Sequence, residues 1–551
     1  MRRPITTLAV FAATVVACGC GSSGDSPSIG SGATGGGGTG GTSGSAGASG
    51  GGSGGSGGTA GSGGSGGAPI TCSKPGEMPF EWAKPFSKES AGISGITLGS
   101  DDAIYLTGLF SSKVTLGVGQ PGETVLTGLL TSRDAFIAKL APDGALAWAK
   151  RAGGTADDAG LDVAVASDGS LRVVGTFEGT GLFGAGEPGE TQLQATGEPD
   201  LFVAKLNGDG TLAWVKRAGA TTNGSGKFAS AIARSAGGGL RVLGAYNGEV
   251  TFGPGETNET KMGVTLPAGG MFLASYAADG MLEWVKRIDG GQLGGGSSLS
   301  GRGADLRVAA DGTALVVVTG GVTFAPGEAN EAVLGSGLNV GRYDAAGALI
   351  DAKSVGGGGR LGSAALASDG SLYVGGMFSD TITFATGQPN QTALSASAFP
   401  DAAEIFLAKL GPDGSFQWAK EASVGTKGAL SGLGVASDGT FRVLAQYFLQ
   451  ATLGPGELSA VELTAGSCLI ANYAADGKVI SAKDVSRWHS AMNVPPAPPH
   501  ARTLAVSASD GSLRVVGYTG TSDPITLGEK EPGATVIDDV SSFIAKYRTC
   551  P

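Results

Sequence analysis

The stretch GLFGAGEPGET, residues 181–191, sets Gly184, Gly186 and Gly189 at the G-x-G-x-x-G spacing that cradles a dinucleotide pyrophosphate. That chemistry needs a strand before the glycines and a helix N-terminus behind them, so that backbone N–H groups and the helix dipole face the phosphate. Here a proline lies within the motif and no helical run follows. Counterparts recur as GVGQPGET, GPGETNET, APGEANEA, ATGQPNQT and GPGELSAV, and only two of these six stretches keep all three glycines. A dinucleotide loop occurs once, in a βαβ unit. The stretch is expected to be a turn-forming connection, with no nicotinamide, flavin or other cofactor.

Other groups with chemistry are sparse. The two histidines, His489 and His500, are separated by a proline-rich segment and build neither HExxH nor a three-histidine set, so no metal is expected. The NGDG stretch at Asn207–Gly210 lacks the run of oxygen ligands and the distal glutamate of a calcium loop, and turn chemistry accounts for it. With 37 Lys+Arg against 48 Asp+Glu and a formal charge of -11, the chain is a poor partner for nucleic acid. Its 102 glycines in 551 residues and 6% aromatics suit a repetitive fold better than a set of mixed α/β enzymes.

The N-terminus supplies an address. Arg2 and Arg3 precede an uncharged apolar run, Ile5 to Val16, that is too short to span a bilayer and ends in small residues and cysteine, the pattern of an export signal. VVAC, ending at Cys18, resembles the lipobox of bacterial lipoproteins, whose cysteine is acylated after cleavage; Cys20 is the alternative site. Residues 1–17 are therefore read as signal peptide, 18–69 as lipidated cysteine and tether, and 70–551 as the folded domain. The tether is almost wholly Gly, Ser, Thr and Ala. As a random coil of about 50 residues it would span roughly 40 Å.

Behind the tether the chain repeats. FEWAK, LAWAK, LAWVK, LEWVK, LIDAK, FQWAK and VISAK align on Trp82, Trp148, Trp214, Trp284, Asp351, Trp418 and Ser481, at intervals of 66, 66, 70, 67, 67 and 63, each with a lysine two residues on. Before most of these stand runs such as DAFIAKL, DLFVAKL and EIFLAKL, and between them runs such as DVAVASDGSLRVVGTF. Period-two apolar runs separated by Asp-Gly predict two hairpins per unit; in one unit these are Asp162–Ala166 with Leu171–Phe177, and Leu201–Leu206 with Leu212–Lys216. Small four-stranded sheets that must stack predict an all-β, seven-bladed β-propeller of antiparallel blades. The lysines are expected on exposed edge strands as guards against edge pairing. FEWAK has no first three strands and SSFIAKYRTC, residues 541–550, no fourth, so pairing the N- and C-terminal strands closes the ring. Cys72 and Cys550 flank that junction and are expected to form a disulfide, leaving Cys468 as a buried small hydrophobe.

These units resemble the bacterial propeller repeats called SBBP repeats over nearly everything after the tether, best at Trp82, Trp148 and Asp351. The resemblance implies a fold and an exported setting, with no catalytic residues. The expected function is a non-catalytic envelope lipoprotein, exported and held at the outer membrane, periplasmic or surface-exposed, through its lipid alone, displaying the propeller as a binding or scaffold module for an envelope or extracellular protein or glycan. A propeller enzyme acting on extracellular or cell-wall carbohydrate is the alternative. Strand parity puts tight Asp-Gly turns on one rim and the long connections on the other, where diversity is expected. The most unusual connection, VSRWHSAMNVPPAPPH at Val485–His500, carries Arg487, Trp488 and His489, an aromatic flanked by cations that suits a ligand anchor.

Overall fold

An Asp-Gly pair reverses the chain where two period-two runs meet. Between strands Ala159–Val165 and Leu171–Phe177, Gly169 N donates to Ala166 O, and the Asp168 carboxylate accepts from Ser170 N, with Gly169 at a φ of 77° that favours glycine. The computed structural model describes residues 19–20 and 72–551, apart from 90, 129–131, 197–198, 220–226, 264–269, 292–302, 397–402, 424–428, 448–449, 465–467, 487–503, 520–524, 530, 532–533 and 539. Among the described residues every regular element is a strand except one 3-10 turn, Ala236–Gly238.

The strands form successive four-stranded antiparallel meanders. The first comprises Ala91–Leu98, Ile104–Ser111, Arg133–Leu140 and Leu146–Gly154; the second Ala159–Val165, Leu171–Phe177, Asp200–Leu206 and Leu212–Gly219. The pattern continues around the chain, and Leu349–Leu366 runs without a break from the fourth strand of one unit into the first of the next. First strands pack side by side from unit to unit, and Leu504–Val506 packs beside Ala91–Leu98, which closes the circle. The fold is a β-propeller.

Closure uses the two chain ends. Phe80–Ser87 pairs with Ser542–Tyr547, and Gly76 N and Cys550 N donate across the junction to Cys550 O and Glu77 O. The apolar clusters lie between blades rather than within them. Tyr105 and Ile137 of one blade, for example, share a cluster with Val173 and Phe202 of the next, so no blade buries its faces alone.

The connection between second and third strands departs from the expected loop. It forms a further hairpin, such as Thr180–Phe183 with Thr191–Gln194, and this hairpin adds to the fourth strand of the preceding blade through Gly153 and Gly154. The same addition joins Glu249–Phe252 to Ala218–Gly219, Val322–Phe324 to Ile288–Gly290 and Ala451–Leu453 to Ala422–Ser423. The outer edge of a blade is thus covered by its neighbour, which leaves less for a lysine guard to protect.

Candidate functional site

The repeat residues converge at the seams between blades. Trp148, early on a fourth strand, lies against Gly210 in the Asp-Gly turn of the following blade and donates from Nε1 to Gly208 O at 3.3 Å. Trp214 and Trp284 do the same over Gly280 and Gly347, donating to Ala278 O and Ala345 O, and Trp82 and Trp418 cover Gly144 and Gly477. Those glycines hold φ between 82° and 89°. A side chain there would meet strain and an indole together. Where Ser481 replaces tryptophan, the next turn is the chain-end junction, and Ser481 Oγ and Asn472 Nδ2 both donate to Gly76 O.

The lysines two residues on complete a clasp. Lys150 Nζ contacts Glu187 Oε1 of the following blade at 2.6 Å, while Glu187 Oε2 accepts from Leu212 N at 2.7 Å. Lys216 with Glu256, Lys286 with Glu328, Lys420 with Glu457 and Lys483 with Glu531 repeat the pair at 2.6–2.9 Å. Two loops carry glutamine instead. Gln120 Oε1 still accepts from Leu146 N, but Lys84 now reaches Asp143 at 3.4 Å; opposite Gln388, Lys353 donates to Asp413 O at 2.5 Å. The lysines are therefore neither edge guards nor a free cationic stripe, because each of these seven is engaged across a seam.

The glycine-rich stretch supplies the glutamates, and its second glycine opens a small nest through a single backbone amide. The nest is filled from within. Gly186 N donates to Glu190 Oε2 at 2.7 Å, and Gly119, Gly255, Gly327 and Gly387 donate to Glu123, Glu259, Glu331 and Gln391 at 2.5–2.8 Å. A chain carboxylate thus stands where a phosphate oxygen would stand in a dinucleotide loop. The loop also returns beside the tight turns, since Glu187 bonds the residue just after one, so the two rims are less distinct than strand parity alone predicts.

A strongly perturbed carboxyl lies elsewhere, where the first blade passes to the second. Burial pushes Asp158 up to about 7, with the charge of Asp134 adding to the rise, while hydrogen bonds from Gly154 N and Glu178 N oppose it. Asp134 is fully buried and contacts Arg151 Nη1 at 2.9 Å; Asp200 and Arg217 repeat that pair at 3.3 Å in the next blade. Asp158 is itself 2% exposed and accepts from two backbone amides, which suits it to fixing the connection. At Asn207–Gly210 the Asp209 carboxylate accepts from Thr211 N and Oγ1, an Asx turn. Among the described residues no group of three or more His, Cys, Asp or Glu side chains is placed to hold a metal.

Cys72 and Cys550 form the expected disulfide, with Cα atoms 5.6 Å apart. Cys468 is buried as expected but is itself disulfide-bonded, which corrects its reading as a free thiol. The backbone of Gly19–Cys20 pairs in parallel with Tyr518–Thr519. Cys18, Arg487, Trp488, His489 and His500 lie outside the described residues. The clasp glutamates and Asp158 were not recognised from sequence; the glutamates did leave a signal, a recurring Glu or Gln at one position of each glycine-rich stretch.

No family model matches the chain, and no curated protein matches it. Among solved structures, a puromycin hydrolase is similar at 12% identity over 82% of this chain and 54% of that one, with a TM-score of 0.40. A member of the DUF4221 family from Bacteroides vulgatus gives 12% identity over 67% and 92%, with a TM-score of 0.30. An exotype rhamnogalacturonan lyase, YesX, gives 10% over 83% of each chain and 0.21. No activity is carried over from likenesses of this degree.

Proposed function

We propose that the protein is an exported lipoprotein that presents a seven-bladed propeller as a binding or scaffold module at the cell envelope. The observation that carries this reading is the Cys72–Cys550 disulfide, which ties the segment before strand Phe80–Ser87 to the segment after its partner strand Ser542–Tyr547. Such a bond persists in an oxidising compartment, and the signal-like N-terminus and VVAC sequence supply the route and the anchor. Seven blades are supported by the repeat count and by the strand Phe80–Ser87, which completes a meander with Leu504–Val506, Leu513–Thr519 and Ser542–Tyr547. The repeats remain similar to SBBP repeats in sequence. Interblade clasps make the ring a rigid platform, and ligand contact is assigned to the connection bearing Arg487, Trp488 and His489. Capture from envelope extracts, with glycans and wall fragments included, tests the reading. A specific captured species that is lost with Trp488→Ala at unchanged melting temperature supports it. An unaltered capture with a large fall in melting temperature reassigns Trp488 to packing.

A further inference from the structure

Two of the seven loops have alanine where the others carry Glu or Gln, Ala460 in GPGELSAV and Ala534 in GEKEPGAT, and only the first keeps glycine at the position of Gly186. In GPGELSAV, Gly454, Gly456 and Glu457 occupy the positions of Gly184, Gly186 and Glu187, and Glu457 clasps Lys420 as Glu187 clasps Lys150. The residue four after Gly456 is Ala460, where the loops of Gly119, Gly186, Gly255, Gly327 and Gly387 have Glu or Gln. Gly456 nevertheless keeps a φ of 79°, against 71–80° for Gly119, Gly186, Gly255, Gly327 and Gly387, and the turn bonds Glu457 N to Gly454 O and Ala460 N to Glu457 O are intact. Among the described residues nothing accepts from Gly456 N. The nest is formed before anything occupies it.

We propose that this nest docks an acidic segment of a partner protein, a Glu or Asp side chain entering where Glu190 lies in its own loop. The sister loops display the bound geometry, a carboxylate oxygen 2.5–2.8 Å from the glycine amide. Two further features fit a peptide. Leu458, at the position of Pro188, is fully exposed beside the nest and offers an apolar contact. Lys478, itself exposed and paired with Asp476, directly precedes Val479, whose N donates to Glu457 Oε2 at 3.3 Å, and so brings a cation near this loop. An oriented amide with a nearby cation favours a carboxylate over a neutral group. The site rests on the binding-module reading and adds to it the chemistry of a partner.

The test uses the full-length protein and a fluorescent peptide of ten glutamates with one central leucine, read by anisotropy at low and moderate salt. Binding by the wild type is expected, with a loss of tenfold or more in Ala460→Glu, which supplies the missing carboxylate from the chain and keeps or raises the melting temperature. Leu458→Ser weakens binding, and Glu190→Ala, by emptying a sister nest, adds a second site. No binding by the wild type, equal binding by Ala460→Glu, or preference for polygalacturonate over the peptide overturns the proposal. Those results leave envelope anchoring and capture through Trp488 untouched, so the two readings fail separately.

Discussion

The indole of Trp148 lies so close to Gly210 that a β-carbon on the glycine would stand 2.9 Å from the ring, and Gly210 holds a φ of 86°. Gly169, in the other turn of the same blade, has a similar φ of 77° but nothing within 4 Å of that point. Gly169→Ala therefore measures backbone strain alone, about 1 kcal/mol, whereas Gly210→Ala must also displace the indole and is expected to cost ~2–4 kcal/mol. Urea unfolding of the two variants separates the terms. Equal losses would mean that the indole contact contributes nothing.

Glu187 joins a cation of one blade to a backbone amide of the next. Glu187→Gln keeps the acceptor for Leu212 N, and Lys150 is expected to turn to the Asp209 turn, as Lys84 and Lys353 do opposite Gln120 and Gln388. A cost below ~1 kcal/mol follows for a partly exposed pair, against ~1–3 kcal/mol for Glu187→Ala, which strands the amide. Unfolding curves that rank Gln as the more damaging change would refute the clasp.

Sequence made much of this legible because the repeat is dense in one-purpose residues. Asp-Gly pairs mark turns through φ, alternating apolar runs mark strands, and the incomplete units at the two ends, whose Phe80 and Tyr547 pair with each other, mark the closure. The outer hairpins were not legible, since strands as short as Ala332–Leu334 show no period and their value comes only from pairing with another blade. Asp158 was equally hidden, because its shift arises from burial and from Asp134, 24 positions away in sequence. The lysines look like free edge guards in the sequence for the same reason: their glutamates belong to the following unit.

Asp158 makes stability depend on pH. Its folded-state pKa of about 7 lies above its ordinary value of 3.8, so its contribution is full below about pH 4 and is lost as pH rises through 7. That difference amounts to at most about 4 kcal/mol. Asp158→Asn should flatten the decline in melting temperature between pH 5 and 8 (about those limits) relative to wild type. Parallel declines in the two proteins would contradict the assignment.

Cys72→Ser and Cys550→Ser each remove the same cross-link. Each should lower the melting temperature by a few degrees, and the double variant should fall no further, with a loss of ~2–4 kcal/mol in all. Non-reducing peptide mapping should also find Cys468 resistant to alkylation until reduction. Additive losses, or a Cys468 peptide alkylated without reduction, would require different pairings.

Metabolic labelling with an alkyne fatty acid, followed by fractionation, tests the proposed anchoring most directly. Wild type should incorporate the label and sediment with membranes, and Cys18→Ala should lose both while keeping the Cys72–Cys550 bond. Loss in Cys20→Ala alone would move the acylated residue to Cys20. Absence of label from the wild-type protein would contradict the lipoprotein account.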